Sequence, residues 1–383
     1  MGRLRRFDAQ AIKARAVAVA LELGASEARV TDAVEDAVAR DRMREAFARG
    51  DFATWGYDDD YAARAADPRT ILRDARSVIC IAVPYASGEP ERSRLHGRVS
   101  NYAWSHDYHV RLRRMLAGVA RTIDDAAGAA VTAIACDTKP LAERALAARA
   151  GLGWIGKHTN LIAREGSFVF LGEVVTSVRL PPDEASRKSC GDCVRCVEAC
   201  PTGALRGDYT IDATRCIADL TQRTDAIPRA MRALVGDWVW GCDLCQLVCP
   251  PTQMAATRRG SDRAPLDAET AGPSLATLLR MRSGEFKRRF LPTAMGWRGA
   301  AVLRRNAAVA LGNALDRSTV PALAAALEND PHPLVRGHAA WALGRIGSPA
   351  AIATLAGRRE READEGVREE IAAALEPFAA RAR

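Results

Sequence analysis

Seven of the ten cysteines lie in two short runs whose spacing is the strongest chemical signal in the chain. The first run is C-x2-C-x2-C-x3-C-P and the second is C-x2-C-x3-C-P. Their members are Cys190, Cys193, Cys196 and Cys200 before Pro201, and Cys242, Cys245 and Cys249 before Pro250. Thiolates are the ligands of iron–sulfur clusters, and this spacing is typical of chains that bind two 4Fe-4S clusters.

The spacing also predicts which cysteines share a cluster, because the cysteine before proline binds the other cluster in such pairs. The two predicted ligand sets are Cys190, Cys193, Cys196 and Cys249 for one cluster, and Cys200, Cys216, Cys242 and Cys245 for the other. Cys216 is included because Val239, three residues before Cys242, stands where a symmetric pair would have the first cysteine of its second run. A zinc site or a disulfide framework is the alternative, although zinc seldom uses a triple spacing and disulfides suit short secreted chains. Cys80 and Cys136 lie in apolar runs and are predicted to be buried thiols.

Asp137 is a candidate for acid–base chemistry outside the cysteines. It follows a predicted strand at 131–136 and precedes a proline-led helix predicted at 141–150. Partial burial there would raise the pKa of its carboxyl group and let it hold a proton near neutral pH. The same position suits a helix N-cap, so both interpretations stand.

The segment GLGWIGKHTN at 151–160 contains three glycines around Trp154. Glycine allows the backbone to approach a large or flat ligand closely, but such turns also occur without a ligand. The segment is not G-x-x-x-x-G-K-[ST], and it does not stand as G-x-G-x-x-G between a strand and a helix. Neither a P-loop nor a dinucleotide fingerprint is therefore predicted.

Positive charge is concentrated in one stretch, although the formal net charge of the chain is a moderate +8. Residues 280–305 carry eight arginines and lysines against one acid, Glu285. A solvated helix face explains such a stretch without any partner. A phosphate-binding surface for nucleic acid explains it equally, because clustered cations gain from counterion release.

A repeat with an offset of 32 residues follows this stretch. Its copies are LRRNAAVALG at 303–312, VRGHAAWALG at 335–344 and, more weakly, VREEIAAAL at 367–375. Arginine occupies one repeat position in all three copies, at Arg304, Arg336 and Arg368. The apolar spacing of three and four predicts a short solenoid of helical hairpins resembling HEAT repeats, which bind rather than catalyse. His332 and His338 are predicted to be ordinary solenoid residues.

The amino-terminal half must supply the elements that position these groups. Its apolar pattern predicts a helix at 11–23 and buried strands at 77–83, 131–136 and 168–176. Charges interrupt the first 20 residues, so neither a signal peptide nor a membrane span is expected there. We expect a soluble, cytoplasmic protein in which free thiols and clusters persist. A chain of 383 residues has room for two or three domains.

Several segments together resemble the epoxyqueuosine reductase family. They are YAWSHDYH at 102–109, CDTKPLAERALAARAGLGWIGKHTNLI at 136–162, SFVFLGEV at 167–174, the cysteine framework, and WRGAAVLRRNAAVALGN at 297–313. The resemblance implies an α+β chain that begins with a nitroreductase-like cobalamin-binding domain, similar to that of reductive dehalogenases. The implied domains are this one at 1–180, a ferredoxin-like two-cluster domain at 181–255, a basic linker at 256–296 and an all-α HEAT-like domain at 297–383.

The activity implied by the resemblance is reduction of epoxyqueuosine to queuosine at the wobble position of tRNA, the last step of queuosine biosynthesis. The implied cofactors are two 4Fe-4S clusters and base-off cobalamin. The partners would be tRNA with a GUN anticodon carrying epoxyqueuosine and a flavodoxin or ferredoxin electron donor, with the enzyme a monomer. The motif D-x-H-x-x-G, which offers a histidine to cobalt, starts at Asp107 and His109 but fails at Leu112.

Individual site residues also follow from the resemblance. Asp137 would be the catalytic proton donor, protonating the departing oxygen as water leaves. The implied cobalamin-binding residues are Tyr108, Trp154, Gly156, Lys157, His158, Thr159 and Asn160. The implied tRNA-binding residues are Gln222, Arg298, Arg304, Arg305 and Arg336.

Two departures from the family pattern lie beside the clusters. Asp225 stands where many members have glycine, and Pro251 and Thr252 stand where Trp-Asn is common. Two other functions compete with the implied one: a cobalamin-dependent reductase of a small molecule, like a dehalogenase, and a non-catalytic electron-transfer protein. The basic solenoid disfavours the former, because a small substrate needs no solenoid, and Asp137 disfavours the latter.

Overall fold

The computed structural model describes residues 8–85, 92–259 and 268–379. Residues 1–7 of the predicted amino-terminal region and residues 260–267 of the predicted basic linker lie outside the described residues. The strands are β1 (Glu27–Asp32), β2 (Ser77–Pro84), β3 (Arg98–Val99), β4 (Thr132–Ala135), β5 (Gly153–Ile155), β6 (Leu161–Ala163), β7 (Val169–Thr176) and β8 (Trp238–Trp240).

The helices range from one turn to five turns in length. They are α1 (Ala9–Glu22), α2 (Ala37–Ala48), α3 (Asp59–Ala66), α4 (Tyr108–Ala127), α5 (Glu143–Arg149), α6 (Arg195–Glu198), α7 (Ile217–Gln222), α8 (Arg229–Val235), α9 (Leu244–Leu247), α10 (Pro250–Arg259), α11 (Ala268–Ala271), α12 (Leu275–Arg280), α13 (Ser283–Arg289), α14 (Ala300–Ala314), α15 (Val320–Asn329), α16 (Pro333–Ile346), α17 (Pro349–Arg359) and α18 (Glu365–Ala379). In the part of the chain covered by these elements, no helix is long and apolar enough to cross a bilayer.

The elements predicted for the amino-terminal half are confirmed as α1, β2, β4 and β7, with small shifts at their ends. The helix predicted at 141–150 begins at Glu143 and has Ala142 as its N-cap, without a side-chain capping bond. Asp137 is therefore not the cap of this helix, and that interpretation was wrong.

The chain divides into two compact units, each assembled from three segments. The first comprises Met1–Ala86, Asp107–Thr214 and Leu244–Arg263, and the second comprises Ser87–His106, Arg215–Asp243 and Ala264–Arg383. The predicted boundaries at 180, 255 and 296 stay predictions.

An antiparallel sheet of strand order β1-β2-β7-β4 forms the core of the first unit. On one face Ile79 and Ile81 of β2 pack with α1 and α4, including Leu116. On the other face Val78 packs with Leu146 of α5. Because helices cover both faces, β2 is buried at every residue, which explains its unbroken apolar sequence.

Stacked helical hairpins form most of the second unit. Helices α14, α16 and α18 pack side by side, and α15 and α17 pack against them. Gly312 permits close contact between α14 and α16, since a Cβ atom there would lie 2.8 Å from Cα of Ala342. The predicted 32-residue repeat is confirmed as this α14–α16–α18 series.

Candidate active site and nucleic-acid surface

A cavity of about 610 Å³ opens in the first unit beside the sheet. Helices α2, α3 and α5, the start of α4, the β5–β6 hairpin and strand β7 line it. Aromatic rings form much of its wall: Phe47, Phe52, Tyr57, Tyr61, Tyr108 and Phe170. Its charged lining residues include Asp137, Lys139, Glu143 and Arg144. Broad ring faces beside a few charges suit a large, mostly flat ligand with a polar reaction centre.

Backbone strain is concentrated at this cavity. Asp137, Thr159 and Tyr209 line it with φ values of 57°, 66° and 67°, in the left-handed region that non-glycine residues rarely adopt. Leu315 is the other described non-glycine residue with positive φ. Such conformations persist where the surrounding structure holds a group in a required position, so they mark the cavity as the candidate active site.

Asp137 is held from the side by the first turn of α4. The hydroxyl of Tyr108 donates to Oδ2 of Asp137 at 2.9 Å, and Nε2 of His109 lies 3.3 Å from the same oxygen. The Tyr108 ring stacks on Phe170 of β7 at a centroid distance of 4.1 Å, which fixes the direction of its hydroxyl. The Asp137 side chain remains 61% exposed toward the open cavity.

The ionisation of Asp137 differs from the prediction. Hydrogen bonding from His109, with a further bond from Tyr108, outweighs burial and lowers the pKa of Asp137. The expectation of a raised pKa was wrong because the sequence did not show which groups on α4 would face the carboxylate. At neutral pH Asp137 is an anion that accepts two hydrogen bonds.

His109 is a hydrogen-bond partner of Asp137 that was not predicted from the sequence. Its Nδ1 lies 2.6 Å from Oδ1 of Asp107 and its Nε2 faces Asp137, so only the imidazolium form donates to both carboxylates. Hydrogen bonding to Asp137, followed by that to Asp107, raises the pKa of His109 against the effect of burial. A D-x-H pair followed by an aspartate after a strand is the signal that could have indicated this arrangement.

The 151–160 segment forms strand β5 and the turn that leads to β6, and only some of its residues line the cavity. Of the predicted cofactor residues, Tyr108, Thr159 and Asn160 line the cavity, whereas Trp154, Gly156, Lys157 and His158 are not among its lining residues. His158 is 2% exposed, and its Nδ1 accepts the backbone N–H of Asn160 at 3.2 Å. Burial lowers the pKa of His158 to about 4, so its ring is neutral.

The cysteines predicted to hold the first cluster lie close together in the first unit. Burial and the neighbouring thiols of Cys190 and Cys249 raise the pKa of Cys196. Burial also raises the pKa of Cys249, with further contributions from Cys190 and Cys193. These mutual effects require short separations among the four thiols. No disulfide joins any of the ten cysteines, and among the described residues no group of three or more His, Cys, Asp or Glu is arranged to hold a single metal ion.

The second predicted ligand set is divided between the units, with Cys200 and Cys245 in the first and Cys216 and Cys242 in the second. It stays a prediction. At Cys200 burial is outweighed by hydrogen bonds from Thr202 and nearby backbone N–H groups, which lower the pKa of the thiol. The Thr202 hydroxyl lies 3.5 Å from Sγ of Cys200. A thiol surrounded by donors favours its thiolate form, the form that binds iron.

Arg305 was predicted to bind tRNA, but the structure places it in the interior of the second unit. Its side chain is 0% exposed. The guanidinium donates to the backbone carbonyls of Leu220, Thr221, Arg223 and Asp225 and to Oδ1 of Asn306. A cation whose donors are all used by the protein cannot contact phosphate, so the tRNA-binding prediction for Arg305 was wrong.

The repeat arginines have a structural role as well. Arg304 forms a two-bond ion pair with Asp330, and Arg336 forms the same pair with Glu362. Each acid lies 26 residues after its arginine. The arginine side chains are only 11% and 13% exposed. The prediction that these two arginines bind phosphate was therefore also wrong, because their guanidinium groups tie successive repeats together.

Exposed cations in the same basic stretch lie outside the repeats, on α12 and α13 and between them. Arg280, Arg282, Lys287 and Arg288 are exposed and form no ion pair with any described residue. Arg298 lies over the Trp297 ring, with its guanidinium carbon 3.7 Å from the ring centroid. Gln222 is half-buried, and its amide donates to the carbonyl of Ala218 at 3.0 Å.

The family models and the known proteins that are similar to this chain indicate the same family. A family model for epoxyqueuosine reductase QueG matches residues 65–138, a 4Fe-4S double cluster binding domain matches 189–252, and HEAT repeats match 299–376. The epoxyqueuosine reductase of Bacillus cereus is 36% identical over 330 residues, which cover 85% of this chain and 87% of that protein. The enzyme of Listeria monocytogenes is 33% identical over 375 residues, covering 96% and 98%.

A solved structure of epoxyqueuosine reductase with an epoxyqueuosine-modified tRNA-Tyr stem loop is similar over the same extent. Its TM-score is 0.88 at 33% identity, with 96% of this chain and 98% of that chain covered. Sequence and fold therefore agree across nearly the whole chain, which belongs to the epoxyqueuosine reductase family.

Proposed function

We propose that this protein reduces epoxyqueuosine to queuosine at the wobble position of tRNA with a GUN anticodon, the last step of queuosine biosynthesis. The observation that carries the proposal is the Asp107–His109–Asp137 arrangement, in which Asp137 lines a large aromatic cavity. It offers a proton at the place where a ligand would react. Family membership and the stem loop bound to a relative support tRNA as the substrate.

The reaction balances with two electrons and two protons. Both carbon–oxygen bonds of the epoxide break, a carbon–carbon double bond forms, and the oxygen leaves as water. The protein must therefore bring a strong reductant to one face of the substrate and a proton donor to the oxygen. Its own side chains supply the donor but no two-electron reductant, so cofactors are required.

We assign the reductant to base-off cobalamin in the cavity, with Tyr108, Thr159 and Asn160 among the residues that hold it. Cobalamin, when bound, supplies a strongly reducing cobalt centre. The cavity fits this group in two respects: aromatic rings form much of its wall, and both ring nitrogens of His109 face carboxylates. His109 is thus not offered to cobalt as a lower ligand. The two 4Fe-4S clusters, on the cysteines predicted for them, would provide low-potential electrons.

The chain's own residues then handle the proton. His109 holds it at Nε2, 3.3 Å from Oδ2 of Asp137. Asp137 accepts that proton and passes it to the departing epoxide oxygen, while the Tyr108 hydroxyl keeps the carboxylate in place. Asp137 thus acts as a relay whose proton comes from His109, because its own pKa is too low to store one.

We assign tRNA binding to the exposed cations of the basic stretch, led by Arg282 and Arg288, with Arg298 and Gln222 as further contacts. Free guanidinium and ammonium groups gain from phosphate contact through counterion release. We further propose a cytoplasmic monomer that receives electrons from a flavodoxin or ferredoxin. The ten cysteines form no disulfide with one another, which supports a reducing compartment.

The test is an anaerobic assay of the protein, loaded with clusters and cobalamin, on tRNA carrying epoxyqueuosine. Asp137→Asn should keep the spectra of clusters and corrinoid while turnover falls by a factor of about 10² to 10⁴. Asp125→Asn, an exposed aspartate on α4, is the matched control. Failure of the wild type to form queuosine would reject the function. A wild-type rate in Asp137→Asn would reject the relay.

A further inference from the structure

Two protons are consumed in the proposed reaction, and the Asp137 relay accounts for one stored proton, that of His109. We propose that Glu143 and Glu173 form a buried carboxyl pair that stores the second proton and delivers it to the cavity through Glu143. This inference rests on the proposed function and concerns a pair of residues that the relay does not use.

Glu173 lies at the centre of the sheet, on β7. Its register neighbours are Cys80 on β2 and Ala135 on β4, and its side chain is on the sheet face covered by α5. The residue is 0% exposed, and neither carboxyl oxygen accepts a hydrogen bond from a backbone N–H, a hydroxyl or a cation; the group that acts on it directly is the Glu143 carboxyl group. An ionised carboxylate without donors in such a place would cost several kcal/mol, so the group is stable there only when it carries a proton.

Glu143 connects this buried carboxyl group to the cavity. It is the first residue of α5 and one of the residues that line the cavity. One of its carboxyl oxygens accepts the backbone N–H of Asp137, which fixes the left-handed conformation of that residue. Glu143 and Glu173 are near enough to interact directly. A proton on Glu173 therefore has a neighbouring acceptor that faces the reaction centre.

The surroundings favour one or more protons on the pair. Burial, followed by the influence of the other carboxyl group, raises the pKa of Glu173, and burial also raises that of Glu143. The titratable or charged groups that interact with the pair from the packed elements are Tyr61, Cys80, Cys136, Asp137 and Arg144, while Arg149 acts on Cys80. Arg144 is the cation beside Glu143, and its guanidinium also donates to the carbonyl of Thr159 at 2.6 Å. One nearby cation cannot stabilise two carboxylates, so the pair behaves like two acids sharing a proton.

Infrared difference spectroscopy tests the stored proton without turnover. The loaded wild-type enzyme should show a protonated-carboxyl band at neutral pH that shifts in heavy water. Glu173→Gln should lose that band, whereas Glu184→Gln, an exposed glutamate of the same unit, should keep it. A band unchanged in Glu173→Gln would overturn the proposal, because the buried carboxyl group would then hold no proton.

Delivery is tested by the pH dependence of single-turnover rates on epoxyqueuosine tRNA. The amide of Glu143→Gln still accepts the Asp137 N–H, so the strained loop is kept while the proton is lost. We expect the single-turnover rate at saturating tRNA to fall about 10²-fold, with the tRNA concentration for half-maximal rate unchanged. The decline above neutral pH should keep only the part that deprotonation of His109 causes. Glu173→Gln should reduce the rate in the same direction. A Glu143→Gln enzyme with wild-type rate and pH profile would overturn delivery.

The two experiments separate this inference from the proposed function. If the wild type does not convert the tRNA, the function fails, and the delivery step fails with it. The infrared band still decides whether the pair stores a proton. If the wild type converts the tRNA but both glutamine variants match it, the function stands and the carboxyl pair is overturned.

Discussion

Replacing Arg305 by methionine should destabilise the second unit while leaving its exposed basic surface intact. The variant removes five hydrogen bonds, of lengths from 2.6 to 3.2 Å. The carbonyls of Leu220, Arg223 and Asp225 and Oδ1 of Asn306 lose the arginine donor, whereas the Thr221 carbonyl keeps its bond from the Asn306 amide. Burial lowers the pKa of Arg305 to about 9, so the side chain is still charged at neutral pH. The methionine side chain fills much of the volume but donates nothing.

Breaking a buried charged network by removing one partner costs about 3–5 kcal/mol. Methionine avoids leaving an unpaired charge, but each carbonyl that loses its donor costs about 1 kcal/mol, so the sum is again about 3–5 kcal/mol. For a unit of this size the melting temperature should fall by roughly 10 °C. Arg282→Ser with Arg288→Ser should change stability by less than about 0.5 kcal/mol, because both side chains are exposed.

The assay combines thermal unfolding with tRNA binding at several salt concentrations. Arg282→Ser with Arg288→Ser should reduce the slope of log affinity against log salt by about 0.7–0.9 for each lost phosphate contact. Folded Arg305→Met, measured below its melting temperature, should keep the wild-type slope. A stable Arg305→Met protein with a reduced salt slope would refute the reasoning, because it would make Arg305 a phosphate ligand.

Two further residues give predictions of different kinds. Thr252→Val should lower the reduction potential of the first cluster in an EPR-monitored redox titration, because the Thr252 hydroxyl hydrogen-bonds to Cys249; an unchanged potential would contradict this. Glu362 carries the second prediction. Burial alone would raise the pKa of Glu362, but hydrogen bonds from Arg336 and Arg358 lower it to about 2. Its folded pKa is below the unfolded value, so Glu362→Gln should destabilise at neutral pH and flatten the stability loss between about pH 4.5 and 2 in stepped-pH denaturant unfolding.

Features that depend on local spacing were predictable from the sequence. Strand β2 has an unbroken apolar sequence because helices cover both faces of its sheet. The sequence repeats every 32 residues because α14, α16 and α18 pack in equivalent positions. The 4Fe-4S double cluster domain was also predictable from the cysteine spacing, while the assignment of Cys249 to the first cysteine set stays a prediction. In each case the residues that decide the structure lie in the segment itself or in a copy of it.

Features that depend on a distant partner were not predictable in the same way. The ionisation of Asp137 is decided by His109, 28 residues earlier, which a strand-and-turn pattern does not reveal. The role of Arg305 is decided by carbonyls about 80 residues earlier. Glu173 did leave a signal, as a carboxylate within the apolar run FVFLGEVVT, because a lone acid in a strand buried on both faces has to be protonated or paired.

The two departures from the family pattern have opposite physical consequences. Asp225 contributes its backbone carbonyl to Arg305 at 2.6 Å, and its side chain is 69% exposed. It is not among the residues with positive φ, so the glycine common at this position is not required for the backbone conformation. Replacement of that glycine therefore leaves the Arg305 network unchanged.

Thr252, by contrast, introduces a functional hydroxyl group. Its Oγ1 accepts the backbone N–H of Ser167 at 3.0 Å and lies 3.0 Å from the Ser167 hydroxyl. The Thr252 hydroxyl also hydrogen-bonds to the Cys249 sulfur. A tryptophan at 251 and an asparagine at 252 would replace this hydroxyl by an amide. The first cluster of this protein should therefore differ in potential from a cluster beside the common pattern.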